Sequence, residues 1–328
     1  MKRPLDRVRV HANLTSATVD DREVTADGPK ALRCALADAL YDAFHADREP
    51  AAELRHDSPR DPDFEHRLRA VVPHRDHPAL PLVEPGKPGV VRLNGVRVRV
   101  PESRLGEEVA TPAGPARRVS LPAVQPSVSP GFLLVSGSAG QGMEKGARLR
   151  IYLGAESAEA APALWGAVLE RLERLRLPYN AKVLSNRHLH PRRDSIVVYL
   201  GPRSWHAAPE IGAAATATGG LRQDLSAYVA ALGPGIGWAW EPQDRRPGMR
   251  GLSFGEHRSH AIAAGLLAHA EHGGDRDEAV REALRAAGVE PDAMHRNIGS
   301  PPLPFETSGP ETGPGSCEDE EGGDTHVY

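Results

Sequence analysis

The spacing of apolar positions along the chain predicts alternating helices and strands. In residues 31–46, Leu32, Leu36, Leu40 and Phe44 recur at every fourth position with Tyr41 beside them, the pattern of an amphipathic helix. Residues 47–63 are rich in Pro, Asp, Arg and His and read as a loop, and a short helix is expected over 64–72. The stretch VVRLNGVRVRVP (90–101) alternates apolar and basic residues around Asn94-Gly95, which predicts a β-hairpin. Residues 101–130 carry Pro at 101, 112, 115, 122, 126 and 130 and read as loop. PGFLLVSGSAG then reads as a strand ending in a turn.

The most regular patterning follows. RLRIYL (148–153) predicts a strand, and 160–177 a helix with Leu164, Val168, Leu172 and Leu175 on one face. AKVLS (181–185) and SIVVYLG (195–201) predict two more strands. Residues 212–220 are small and Gly-rich and read as a flexible loop, and 221–232 as helical. Ser253 and Glu256 form a capping box before an Ala/Leu-rich run, so a helix should begin there and continue to about His272. Another helix is expected over 276–287, and from Gly299 onward a disordered acidic tail. The expected fold class is α+β, a mixed or antiparallel sheet covered by helices. Three regions are expected: an N-terminal helical and hairpin region (1–128), a core (129–298) and the tail (299–328).

Composition narrows the function. With 328 residues, 40% apolar and 26% charged, the chain is long enough for a sizeable core. The longest apolar run, Ile262 to Ala268, is about a third of a membrane span, which argues against a membrane protein. Cys34 and Cys317 are too few for a disulfide framework or a thiolate metal cage, and no secretory signal opens the chain. A reducing, cytoplasmic location is expected. Net charge is −4 and no basic stripe is interleaved with aromatics, so nucleic acid is a poor partner. Lys occurs only at positions 2, 30, 87, 145 and 182, so Arg supplies nearly all of the 40 basic residues. A Lys inside a strand is therefore informative, and Lys182 is that Lys.

No phosphate-loop, dinucleotide, nucleophile-elbow or zinc-protease motif is present, and no metal is expected. His45, His56, His66, His74 and His77 scatter without ligand spacing, and His188-x-His190 lacks a third ligand nearby. Arg92, Arg97 and Arg99 in the hairpin read as a charged outer face. What remains is cationic. Strand alternation puts Arg148, Arg150 and Tyr152 on one face of their strand. Arg192 and Arg193 precede the strand that carries Tyr199. Arg258 falls at the spacing of Ile262 and Leu266, inside the first turns of its helix, where an inward Arg favours anions. Together these residues suggest a pocket for a polyanion.

The motifs ALYDAFHA, SPGFLLVSGSAG, RLRIYL, YNAKVLS, HPRRDSIVVYL, GWAWEP and SFGEHRSHAIAAGL succeed each other as in the Hop A-type type III effector family, which the chain resembles over residues 31–272. That family also occurs as the stand-alone lyase of class V lanthipeptide biosynthesis. The core is similar, too, to the phosphothreonine lyase effectors, whose pattern is a strand with K-F-H, a helix, a strand with W-K-V-T, a loop Arg and a strand ending in Tyr. By that resemblance Lys182 matches the catalytic Lys that removes an α-proton. Arg150 matches the phosphate-binding Lys, with Arg148 beside it. Arg192, or Arg193, matches the loop Arg, and Tyr199 the terminal Tyr; Arg258 is matched loosely to a downstream phosphate-binding Arg. Tyr152 stands where the pattern has its acid His, which leaves Tyr152, His257 or His188 as the acid.

The resemblance implies β-elimination of phosphate from phosphoserine or phosphothreonine in a ribosomal precursor peptide, giving dehydroalanine or dehydrobutyrine. No cofactor is implied. A separate kinase and a separate cyclase are the implied partners. A base for so weak an acid must be a neutral amine, which positive neighbours and burial both favour. Among the residues themselves, the rival expectation is a non-catalytic phosphopeptide-binding or effector-like interaction protein on the same fold.

Overall fold

The computed structural model describes residues 5–48, 60–93, 95–142 and 146–306. Three antiparallel sheets organise it. β1 (Val8–Val10), β2 (Ser16–Val19) and β3 (Arg22–Thr25) form a small N-terminal meander. It leads into α1 (Pro29–Leu40), which closes in a π-helical turn over Tyr41–Ala46, and then into α2 (Pro62–Ala70). A second sheet holds β4 (Asp76–Ala79), β5 (Leu82–Val83), β6 (Val90–Leu93), β7 (Val96–Arg99), β8 (Leu105–Thr111) and β9 (Gly114–Pro122). The expected hairpin is β6–β7, in the register Val91↔Val98 and Arg92↔Arg97. Arg92 and Arg97 both pair with the buried Glu84, at 2.9 and 3.0 Å, so their charge is matched within the sheet.

The third sheet has seven strands: β10 (Val124–Ser129), β11 (Phe132–Ser136), β12 (Leu149–Ala155), β13 (Tyr179–Leu184), β14 (Arg192–Leu200), β15 (Ala230–Gly233) and β16 (Ile236–Trp240). Their order is β10-β11-β13-β14-β12-β16-β15, all antiparallel. Its two faces bury different partners, because successive side chains point to opposite sides. On one face Ile151, Leu153, Val183, Val198 and Trp240 meet α3 (Ala161–Leu175) through Leu164, Trp165, Val168 and Leu172, with α4 (Ala208–Thr218) alongside. Each such fully buried aliphatic side chain contributes about 1.5–3 kcal/mol. On the other face Tyr152, Val197 and Ala239 meet α1, α5 (Phe254–His272) and α6 (Arg276–Ala286). Leu32, Leu36 and Leu40 of α1 share this second core with Ile262 and Leu266 of α5, so the beginning of the chain completes the packing of its end. α5 and α6 approach closely at Gly265, where a Cβ would lie 2.5 Å from Val280 Cα.

Several expectations are corrected. The Pro-rich 101–130 segment is mostly β8, β9 and β10. Pro115 and Pro122 fall near the two ends of β9, where a missing N–H costs little. The Gly/Ala run over 212–220 is mainly α4, because Ala outweighs a single Gly212, and the glycines at 219 and 220 end it. Residues 221–232 are not helical: an isolated bridge pairs Leu221 with Ala155, and β15 follows. The segment after Gly299 begins ordered, with Leu303 buried and Phe305 edge-on to Trp238 at 5.8 Å; residues 307–328, with Cys317 and the acidic run, lie outside the described residues, as do 49–59 and Asn94. Among the described residues, no helix is long and apolar enough to cross a membrane.

Candidate functional site

Antiparallel register sets side chains in rows across the seven-stranded sheet, on the face toward α5. One row runs Leu134, Lys182, Val197, Tyr152 and Gly237; the next runs Ser136, Asn180, Tyr199, Arg150 and Ala239. At about 4.8 Å per strand, the Lys182 and Tyr152 backbones are about 10 Å apart, with Val197 between them. Lys182 is half-buried, its Nζ 3.9 Å from the centre of the Phe132 ring. Arg150 is buried, with its guanidinium carbon 5.1 Å from the Tyr199 ring centre, Nη1 donating to Tyr152 Oη (3.3 Å), and Nε paired with Glu241. Burial alone would favour the neutral guanidine, but Tyr152, Tyr199 and Glu241 outweigh it and hold Arg150 firmly charged. Lys182, Arg150, Tyr152 and Tyr199 thus stand in two adjacent rows of one sheet face.

Arg192 lies next to this group. It grips Asp194 through two hydrogen bonds (2.8 and 2.7 Å) and donates to Tyr41 Oη (2.9 Å), which in turn donates to Asp194 (3.0 Å). Burial would raise the Asp194 carboxyl, yet Arg192 holds it well below the usual carboxylate range. Tyr41 belongs to the same turn as His45, whose Nδ1 lies 2.8 Å from Ser226 Oγ. The His45 ring stands edge-on to Tyr152 at 5.3 Å and stacks on Tyr228 at 5.9 Å. Room for it is made by Gly255: a Cβ there would lie 2.2 Å from His45 Cδ2 and 2.7 Å from Tyr41 Cε2.

Other candidate residues are placed elsewhere. Arg193 turns away to Asp224 (2.8 Å), Asp47 and the Ala43 carbonyl (3.1 Å). Arg258 is fully buried and its donors hold the chain end: Nε to Met294 O (2.8 Å), Nη2 to Asn297 Oδ1 (2.8 Å) and Arg296 O (3.4 Å), and Nη1 against His257 Nδ1 (2.8 Å). The expected phosphate ligand is therefore a strut of the fold. His257 is fully buried between Arg258 and Asp244 (3.1 Å), and His188 sits on an exposed turn, Arg187–Leu189, whose backbone is capped by Asn186. Arg148 precedes β12, half-buried, with its carbonyl accepting from the Glu241 N–H (2.8 Å). The sequence reading missed Tyr41, His45, Asp194, Glu241 and Asn180. The signal available was the spacing of Tyr41 and His45, four apart at the end of the first helix.

Two influences oppose each other on the phenol of Tyr152: burial raises its pKa and wins over Arg150, which lowers it. His45 is held down to about 4, first by burial, against the opposing pull of Asp194 and with the positive field of Arg192, Arg150 and Lys182 added. His190, His257 and His295 are likewise held to about 4, mainly by burial. In the unfolded chain imidazoles protonate near pH 6.5. Between about pH 6.5 and 4 the unfolded state therefore binds more protons, and stability is lost as pH falls through that window. The urea midpoint should be lower at pH 5 than at pH 7.5; equal midpoints would show that these rings are not desolvated. Among the described residues, no group of three or more His, Cys, Asp or Glu is placed to hold a metal ion.

The sheet that carries this site, with α3 to α6 around it, corresponds to a known family. The sequence model of the HopA1 effector protein family matches residues 123–296, just over half of the chain. The chain belongs to the HopA1 effector protein family. Among solved structures, it is similar to the effector protein from Pseudomonas syringae pv. syringae strain 61, at 17% identity and a TM-score of 0.40, over 51% of this chain and 62% of that one. It is similar also to the effector protein from Pseudomonas syringae pv. tomato strain DC3000, at 15% identity and a TM-score of 0.47, over 81% and 90% of the two chains. No curated protein sequence matches it. In this HopA1-family chain Lys182, Arg150, Tyr152, Tyr199, Arg192, Asp194 and Glu241 lie inside the matched span, whereas Tyr41 and His45 enter the site from outside it.

Proposed function

We propose that this HopA1-family chain is a phosphoserine/phosphothreonine lyase, acting on a ribosomal precursor peptide that a separate kinase has phosphorylated. The observation that carries the reading is the register that sets a solvent-reachable Lys182 on the same sheet face as Arg150, Tyr152 and Tyr199. In the proposed step Lys182 Nζ takes the α-proton, the Cα–H pair becomes the Cα=Cβ bond, and the Cβ–O bond breaks with its electrons leaving on phosphate. In this reading Arg150 binds that phosphate through charge-assisted hydrogen bonds, with Tyr199 and Arg148 flanking it. In the same proposed step the neutral phenol of Tyr152 donates to the leaving oxygen, and the His45 ring, held neutral by burial, supports Tyr152 edge-on. The product is dehydroalanine or dehydrobutyrine, which a separate cyclase would join to Cys thiols in lanthipeptide biosynthesis.

A second reading, phosphopeptide binding without chemistry, is favoured by one observation: burial raises the Tyr152 phenol, which weakens it as a proton donor at the position where the lyase pattern has its acid. Incubating the purified chain with a synthetic phosphoserine peptide separates the two. Mass spectrometry should show loss of phosphoric acid and a dehydroalanine product. Saturable binding with no mass loss would leave only the second reading, and equal affinity for the unphosphorylated peptide would overturn both. Under either, Glu241 competes with phosphate for Arg150. Glu241→Gln is expected to tighten phosphopeptide binding about tenfold, the equivalent of one charge-assisted contact. Unchanged affinity would show that the phosphate does not reach Arg150.

A further inference from the structure

The sheet face that carries Lys182 is covered on one side and open on the other. Val197 on β14 and Ala239 on β16 are buried in the core shared with α1 and α5. Over β11 that covering stops. Leu134 is the register partner of Lys182, and the Phe132 ring centre lies 3.9 Å from Lys182 Nζ. Both side chains are half-buried, and among the described residues neither belongs to the hydrophobic clusters on the two sides of the sheet. Two large apolar side chains thus stand partly in water, next to the one strand lysine of the site and reachable from outside. Apolar surface beside a few polar groups is the usual make-up of a ligand site.

Their place relative to Arg150 says what they meet. Strands β11, β13, β14 and β12 are consecutive in the sheet, so Lys182 stands between Leu134 on one side and Arg150 on the other. A residue whose phosphate reaches Arg150 and whose α-hydrogen points at Lys182 directs its phosphoryl arm from β13 toward β12. Its main chain then leaves over β11. Strands lie about 4.8 Å apart and consecutive α-carbons about 3.8 Å apart, so the next residue of the peptide falls over Leu134. Phe132 is about 7 Å further along the same strand. No charge lines this floor: the remaining β11 position on the face, Ser136, is buried. An apolar side chain is stabilised by leaving water there, whereas a charged one would lose hydration without gaining a partner.

We propose that Leu134 and Phe132 form a subsite for an apolar side chain adjacent in sequence to the phosphorylated Ser or Thr. The protein then selects phosphosites that have a Leu-, Val- or Ile-like neighbour. This deepens the phosphopeptide reading and rests on it, in its lyase or its binding form.

The test is fluorescence anisotropy with four peptides, in which Ser or phosphoserine is flanked on both sides by Leu or by Ser. Wild type should bind the Leu-flanked phosphopeptide about tenfold more tightly than the Ser-flanked one, the effect of burying one aliphatic side chain. Leu134→Thr, which keeps a β-branched strand former, should bring that ratio below about twofold, and Leu134→Met should keep it above about fivefold. Both variants should still prefer phosphorylated to unphosphorylated peptide. Equal wild-type affinity for the Leu- and Ser-flanked phosphopeptides would overturn the subsite. So would a loss in Leu134→Thr that falls equally on both phosphopeptides, which would make Leu134 a structural residue. An absence of phosphate preference in wild type is a separate result: it would remove the phosphopeptide reading, and the subsite with it.

Discussion

Lys182→Arg should abolish β-elimination, by at least about 10³-fold, while phosphopeptide affinity stays within about threefold of wild type. The reasoning is chemical. An α-proton beside a peptide carbonyl is a weak acid, so its acceptor must offer a free lone pair at the working pH. An amine can do so, whereas guanidinium stays protonated in a protein and has no acceptor to give. The substitution keeps a long aliphatic stem ending in N–H donors over the Phe132 ring and beside the sheet row, and leaves Arg150 untouched, so binding survives. Single-turnover elimination measured by mass spectrometry, paired with anisotropy for affinity, reads the two quantities separately. Normal turnover by Lys182→Arg would move the base elsewhere, and loss of affinity in step with rate would make Lys182 a phosphate ligand.

The largest stability effect is expected at Arg258. Replacing it with Met should cost about 3–5 kcal/mol in urea unfolding. Its guanidinium is fully buried and serves the carbonyls of Met294 and Arg296 and the amide of Asn297. Asn297 then donates to the Glu241 carbonyl (2.7 Å), and Trp240 N–H to the His295 carbonyl (2.8 Å), so one side chain ties the chain end to β16. Met fills much of the volume but leaves those acceptors unmatched, at about 1–3 kcal/mol each, offset in part because burying a guanidinium is itself unfavourable. That opposing cost shows in the group: burial pushes the Arg258 pKa down to about 9. Below the denaturation midpoint, folded Arg258→Met should still prefer phosphorylated peptide, since the hydrogen bonds of Arg258 go to His257 and to residues 294–297. A full loss of phosphate preference with an unchanged urea midpoint would restore Arg258 to the binding pocket.

Much of the chain's architecture is legible in its local patterns. Four-residue spacing marks α1, α3 and α5, the Ser253–Glu256 capping box opens α5 as expected, with both of its hydrogen bonds formed, and Asn94-Gly95 announces the β6–β7 hairpin. Alternation in the two short motifs RLRIYL and AKVLS also fixes which side chains leave each strand together, and the family resemblance follows from the same motifs. These signals are local: a period, a cap or a turn is a property of neighbouring residues. Composition misled where local propensity is weak, as in 101–130, where Pro sits in strands, and in 212–220, where Ala carries a helix past Gly212.

Which charges remain available for chemistry is a different kind of question, decided by contacts between residues far apart in the chain. Arg150 and Arg258 look alike as inward arginines, yet Arg150 lies in a row with Tyr199 while Arg258 is closed in by residues 294–297. Arg192 and Arg193 are adjacent in sequence, but one faces Asp194 and Tyr41 and the other Asp224. His45 reads as one of many scattered histidines until α1 packs on α5 and Gly255 lets its ring reach Tyr152. The sequence by itself determined the strands and helices with a strong period or cap, the face those strands present, and the family. Only the tertiary structure decided which residues of those faces meet, because burial, hydrogen-bond saturation and the field at each group are set by partners from other elements, as Asp224 is for Arg193 and Tyr41 for Arg192.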